Sequence, residues 1–131
     1  MLGKIKLINE YRLYGSVFLP GFVENPFAIM KQADLFVLSS AWEGLPNVLI
    51  QAMACGTPVV CTDCPSGPAE ILENGKWGRL VPVGDAEELA QAMLKTLTDK
   101  THHDVAARAA YFSLDRAVDG YLRLLIPGSA R

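Results

Sequence analysis

The stretch "SSAWEGLPNVLIQAMACGTPVV", Ser39 to Val60, is largely apolar, yet it carries Glu43 in a loop and Asn47 and Gln51 in the segment that follows. Asn47 and Gln51 are four residues apart, so on a helix they share one face. A helix beginning here would present unpaired amides and a partial positive charge at its start, which suits phosphate or sugar oxygens. Gly44 lets backbone approach a ligand closely. Pro46 has no amide, which makes Asn47 and Val48 the expected first-turn donors. Each polar residue alone has an ordinary explanation: Glu43 as a solvated loop acid, the two amides as partners of nearby backbone. The three together, where a helix starts beyond the carboxyl end of a strand, point to a bound ligand. A second loop repeats the design. "TDCPSGPAEIL" opens a short helix near Pro68, with Ser66 or Gly67 as cap and Glu70 in its first turn. Glu70 reads equally as an acid favoured by the helix dipole and as a ligand.

These loops need a frame, and the rest of the chain supplies one. Strands are predicted at 16–23, 34–40, 58–62 and 78–82, all short and apolar rather than alternating, as in strands covered on both faces. Helices are predicted over roughly 2–14, 26–33, 46–55, 67–73, 85–99, 102–111 and 114–125. Their punctuation agrees with those limits. Pro26 and Pro46 occupy first-turn positions, Asp85 caps "AEELAQAM", Ser113 can cap the last helix, and Pro127-Gly128 closes the chain. Helix 46–55 is apolar apart from Asn47 and Gln51 and reads as buried. The alternation of strand and helix implies right-handed crossovers and a parallel sheet in an α/β fold. Ligands of such sheets bind outside the carboxyl ends of the strands, where the loops after Val23, Leu38 and Thr62 would meet.

Composition narrows the function classes. The 131 residues make one domain, half hydrophobic and with a net charge of −2, which provides no electrostatic footprint for nucleic acid. The apolar runs fall far short of the roughly 20 residues of a membrane span. "MLGKIKLINEYRLYG" interrupts its apolar residues with Lys4 and Lys6 and does not read as a secretory signal. Three cysteines, Cys55, Cys61 and Cys64, favour a reducing cytosol. Cys61 and Cys64 have the spacing of a redox dithiol, but "PSGP" follows them and places the pair on a turn rather than at a helix start. His102 and His103 lie too far along the chain to complete a zinc site with them.

From about Val17 to Leu97 the chain resembles the C-terminal half of a retaining GT-B glycosyltransferase of the glycosyltransferase group 1 type. The segment "FLPGFVENPFAIMKQADLFVLSSAWEGLPNVLIQAMACGTPVVCTDCPSGPAEILENGKWGRLVPVGDAEELAQAM" carries the likeness, and "FSLDRAVDGYLRLL" resembles the family's closing helix. The family signature is a pair of glutamates separated by seven residues. Glu43 matches the first, which implies contact with donor-sugar hydroxyls and a catalytic role. Gln51 stands at the second, where the family acid binds the ribose of the nucleotide; its amide still offers an acceptor and donors. By the same resemblance, Gly44, Leu45, Asn47 and Val48 correspond to phosphate and sugar contacts. Phe22 and Val23 stand where the nucleobase is held through main chain, and Glu70 lies in the loop nearby.

The implied reaction transfers a sugar, with retention, from a nucleotide-sugar, a UDP-sugar by expectation, to a glycan, lipid-linked glycan or small-molecule acceptor. The nucleotide-sugar is a substrate, and neither cofactor nor metal is implied. The resemblance further implies a cytoplasmic protein and leaves open a peripheral seat at the inner face of the cell membrane within a full enzyme. It also predicts that residues 1–131 are a single partial domain, a fragment, truncated product or split-enzyme part lacking the first two strands. In the family order 3-2-1-4-5-6 the four strands here would be 3, 4, 5 and 6. Strand 16–19 would then lose its neighbours, and the edge at 34–38 would be open to a missing N-terminal part or to a second copy. Two readings remain beside transfer: a non-catalytic nucleotide-binding or assembly module derived from such an enzyme, and a thiol-redox module.

Overall fold

The computed structural model describes residues 2–125. The elements run α1 (Leu2–Glu10), α2 (Pro26–Gln32), β1 (Phe36–Leu38), α3 (Asn47–Ala54) and β2 (Val59–Thr62). They continue with α4 (Pro68–Ile71), β3 (Arg79–Val81), α5 (Ala86–Thr98), α6 (Val105–Ala110) and α7 (Leu114–Leu125). The expected Pro127-Gly128 stop lies outside the described residues.

Three strands form a parallel sheet in the order β1-β2-β3. Leu38 pairs with Cys61 and Cys61 with Leu80, so the carboxyl ends of the strands stand side by side. Central β2 is buried at all four residues, and its alternation sorts the core into two layers. Val59 and Cys61 pack with Leu49, Met53, Ile71 and Leu72, on the face that carries α3, α4 and α6. Val60 packs with Val81 and Ala92 on the opposite face, under α5. Both faces are therefore covered, as the short apolar strands imply. Asp85 caps α5 through a 2.8 Å bond from the Glu88 amide, and Asn25 caps α2 through a 3.3 Å bond from Ala28, with Pro26 as first helical residue. Ser113 stands before α7, with its hydroxyl 3.5 Å from the Arg116 amide.

Several expectations fail for definite reasons. The strand expected at 16–23 does not form. Gly15 and Gly21 adopt positive φ, Leu13 accepts turn bonds from Ser16 and Val17, and Phe18 and Phe22 are exposed. A strand exists only through a ladder partner, and among the described residues none pairs with this segment; Pro20 also lacks the donor a ladder would use. The helix expected over 2–14 ends at Glu10, where Arg12 turns to φ 53°. It buries none of its residues. Helix α3 is not apolar all round, because Asn47, Gln51 and Ala54 form an exposed strip beside buried Leu49, Ala52 and Met53. Among the described residues β1 pairs on one side only, so its outer edge is bare.

Candidate functional site

The loop from Ser39 to Pro46 leaves β1 and delivers the chain to α3, while Asp63 to Gly67 leave β2 and deliver it to α4. Both loops sit at the carboxyl ends of parallel strands, where this class of sheet places its ligands. They touch. A Cβ built on Gly67 would collide with the Gly44 carbonyl oxygen and approach Pro46 Cδ to 2.5 Å. Gly67 has φ 97° and Ser66 φ 65°, so the second loop reaches the first through two residues in positive-φ backbone.

Glu43 is half-buried, and its Oε1 accepts a 2.6 Å hydrogen bond from the Ser40 hydroxyl. The Thr62 hydroxyl, at the end of β2, reaches the carbonyls of Leu38, at 3.3 Å, and of Ser40. It thereby ties the loop after β1 to the neighbouring strand. Sequence reading missed both hydroxyl residues, although Ser40 precedes Glu43 by three positions, a spacing at which a turn brings side chains together.

The first turn of α3 differs from expectation. Pro46 is the cap residue rather than the first helical one, and it offers no side-chain bond. The Asn47 amide donates to Leu45 O at 2.8 Å and Leu49 to Pro46 O at 2.9 Å. Asn47 is thus already engaged, and of amides 47–49 only Val48 has no backbone acceptor among the described residues. The expected polar face also divides. Asn47 and Leu45 line a groove of about 780 Å³ with Ile50, Phe112, Arg116 and Arg123, whereas Glu43 and Gln51 are not among its walls. Gln51 is exposed one turn along α3.

Glu70 is exposed in the first turn of α4, and its carboxylate makes no hydrogen bond or ion pair among the described residues. Of the two expected caps, Ser66 or Gly67, it is Gly67 that caps α4, without a side-chain bond. The other end of this helix is held by Arg108, whose guanidinium donates to the carbonyls of Glu70 and Ile71 at 2.8 Å each and pairs with Glu73 at 3.0 Å. Arg108 lay unnoticed in the alanine-rich run "VAARAA", which reads as a plain surface helix. Phe22 is 93% exposed and Val23 half-buried, and no hydrogen bond joins them to the Glu43 loop among the described residues.

Cys61 and Cys64 are both buried free thiols. Burial, then the nearby Cys64, Glu43 and Asp63, push the Cys61 thiol up from 9.0 to about 12. A thiolate is the nucleophile in disulfide chemistry, so a thiol held protonated this firmly is poorly suited to a redox role. The raised value means that the folded form keeps a proton which the unfolded chain releases. The associated stability is complete below about pH 9 and is lost as pH rises through 9 towards 12. Chemical denaturation across that range should show falling stability, with a shallower fall in Cys61→Ala; identical slopes would contradict this assignment.

The family model described as glycosyl transferases group 1 matches residues 3–99. The chain is 32% identical over 126 residues to the lipopolysaccharide core biosynthesis glycosyltransferase LpsE of Rhizobium meliloti, covering 92% of this chain and 37% of that protein. It is 38% identical over 95 residues to the N-acetylgalactosamine-N,N'-diacetylbacillosaminyl-diphospho-undecaprenol 4-alpha-N-acetylgalactosaminyltransferase of Campylobacter jejuni, covering 72% of this chain and 26% of that protein. Among solved structures, Anabaena HepE in complex with UDP superposes with a TM-score of 0.74 at 26% identity, covering 92% of this chain and 32% of that one. The outer core galactosyltransferase WaaB superposes at 0.78 with 20% identity, a likeness of fold, and this chain spans 36% of it. The chain therefore spans between 26% and 37% of the length of each of these proteins.

Proposed function

The chain belongs to the glycosyl transferases group 1 family, with the α/β fold of a GT-B C-terminal domain in part, and on that premise we propose that it supplies part of the donor site of a retaining sugar transfer from a UDP-sugar. The observation that carries the reading is the placement of Glu43. It lies half-buried at the carboxyl end of β1, beside the start of α3, in a loop that a second loop touches. In this reading Glu43 accepts hydrogen bonds from donor-sugar hydroxyls. The Val48 amide and the positive end of α3 face the diphosphate with the backbone of Gly44 and Leu45 close by. Asn47 offers its side chain, since its amide is used within the loop. Gln51 takes the ribose through its amide, Phe22 and Val23 meet the base through main chain, and Glu70 borders the site from the second loop.

During transfer the bond between the anomeric carbon and the diphosphate breaks, and a bond to an acceptor hydroxyl forms with the configuration kept. The hydroxyl proton leaves with the departing diphosphate, whose charge the Val48 amide and the positive end of α3 stabilise without a resident metal. The UDP in the HepE complex supports the choice of nucleotide, and the names of the Rhizobium and Campylobacter relatives support a glycan or lipid-linked acceptor. Among the described residues no helix is long and apolar enough to cross a membrane. A cytoplasmic place, peripheral to the membrane within a full enzyme, accords with those acceptors. The bare outer edge of β1 and the share of its relatives that this chain spans favour action with further polypeptide, either the rest of a longer enzyme or a second copy. A module that binds without transferring is the less favoured reading, because the named relatives are transferases.

Calorimetry with UDP, a panel of UDP-sugars and GDP-sugars tests the proposal. Binding of UDP and at least one UDP-sugar, unchanged by EDTA, is the expected result. Absence of binding to every nucleotide would sink it, and sugar transfer by this chain alone would overturn the need for a further polypeptide.

A further inference from the structure

We propose that Ser40 and Thr62 are positioning residues for Glu43, forming a brace that fixes which carboxylate oxygen faces a ligand. This deepens the donor-site reading and rests on it for the role of Glu43. The brace has two links. The first is the 2.6 Å hydrogen bond from Ser40 Oγ to Glu43 Oε1, a short charge-assisted contact. It occupies one oxygen and leaves Oε2 as the free acceptor. The second is the Thr62 hydroxyl, which meets the carbonyl oxygens of both Leu38 and Ser40. Thr62 is 4% exposed at the last position of β2 and is itself paired in register with Val81. The hydroxyl therefore hangs from the most buried strand and fixes the backbone that carries Ser40.

The brace compensates for an otherwise loose site. Glu43 lies in a loop with no regular backbone ladder, and β1 ends at Leu38, five residues before it. A carboxylate on such a loop would sample several orientations, and each ligand contact would then bear the cost of ordering it. The chain from Thr62 to Ser40 to Glu43 settles that orientation before the ligand arrives. Valine at position 62 would keep the shape and lose the hydroxyl. Alanine at position 40 would free Oε1 and let the carboxylate rotate.

Hydrogen exchange on the full chain is read first, because it needs no ligand. The Asn47 and Leu49 amides, which donate to Leu45 O and Pro46 O, should exchange about tenfold faster in Ser40→Ala, consistent with the loss of one charge-assisted bond. Ser40→Thr, which restores a hydroxyl, should return the rate to that of the parent. Thr62→Val should act in the same direction and Thr62→Ser should not. Unchanged exchange in both Ser40→Ala and Thr62→Val overturns the brace, and Ser40→Ala alone decides it if Thr62→Val fails to fold. Titration with UDP and UDP-glucose is read second. Weakening of UDP-glucose by several-fold in Ser40→Ala, with UDP unchanged, supports the assignment to the sugar contact, whereas equal weakening of both overturns it. If the parent binds no nucleotide, the donor-site reading falls, and with it the sugar role of Glu43, while the exchange rates still decide whether the brace exists.

Discussion

Gly67→Ala is expected to cost the fold about 3 kcal/mol and to separate the two site loops. Gly67 has φ 97° and ψ −61°, a combination close to the strained classical γ-turn, which side chains rarely adopt. Space is the second obstacle. The added methyl would meet the Gly44 carbonyl oxygen and Pro46 Cδ, at 2.5 Å, and neither a backbone oxygen nor a proline ring can rotate aside. Relief requires one loop to move. Gly44 and Pro46 flank Leu45 just ahead of α3, so the displacement should reach the Glu43 loop. Gly84→Ala makes a matched control: its φ of 83° carries a comparable strain, but nothing lies within 4 Å of the new Cβ. Urea denaturation should place Gly84→Ala about 1 kcal/mol below the parent and Gly67→Ala well below that. Donor affinity should fall in Gly67→Ala alone. Equal costs at the two glycines would show that the loops are not in firm contact.

The parts of the fold that were legible in the sequence are those fixed by local chemistry. The run at β2 is apolar at Val59, Val60 and Cys61, and its shortness, β-branched residues and flanking Gly56 and Pro58 fit a strand covered on both faces; its two faces indeed enter two cores. Asp85 announced its helix through a cap that acts over three residues, and Pro26 announced another as its first helical residue. What was illegible depends on partners distant in sequence. "SVFLPGFV" has the composition of a strand, but composition cannot report that no strand among the described residues pairs with it. Arg108 reaches carbonyls 37 and 38 residues away, and nothing in an alanine-rich helix announces it. The site divides in the same way. The place of Glu43 and of the two loops at the carboxyl edge of the sheet follows from spacing, whereas their contact through Gly67 does not. The capture of the Asn47 amide by Leu45, and the place of Asn47 on the wall of a groove shared with α7, depend on how the loop closes.

Glu43→Ala should raise the dissociation constant for a bound UDP-sugar by about 10- to 100-fold and leave UDP within about twofold. The asymmetry follows from position. Glu43 is proposed to meet the sugar through its carboxylate, whereas the diphosphate is proposed to meet the Val48 amide and the backbone of Gly44 and Leu45, so removal of the carboxylate strips contacts from the sugar and spares the phosphates. An ionised acceptor bonded to a hydroxyl contributes about 1.5–3 kcal/mol, which sets the range. Glu43→Gln separates charge from shape. Its amide keeps a single acceptor oxygen, which can serve Ser40 or a sugar hydroxyl at the place of one carboxylate oxygen but not both, and without the ionic strengthening, so its loss should fall between parent and alanine. Cys61→Ser provides the opposite control. The thiol is buried and held protonated beside the same loop, so a change there should alter stability and leave affinity alone. If UDP weakens as much as the UDP-sugar in Glu43→Ala, the acid supports the loop as a whole. If neither weakens, Glu43 is the solvated loop acid that its surroundings alone would allow, and the sugar contact must be sought elsewhere along the carboxyl edge of the sheet.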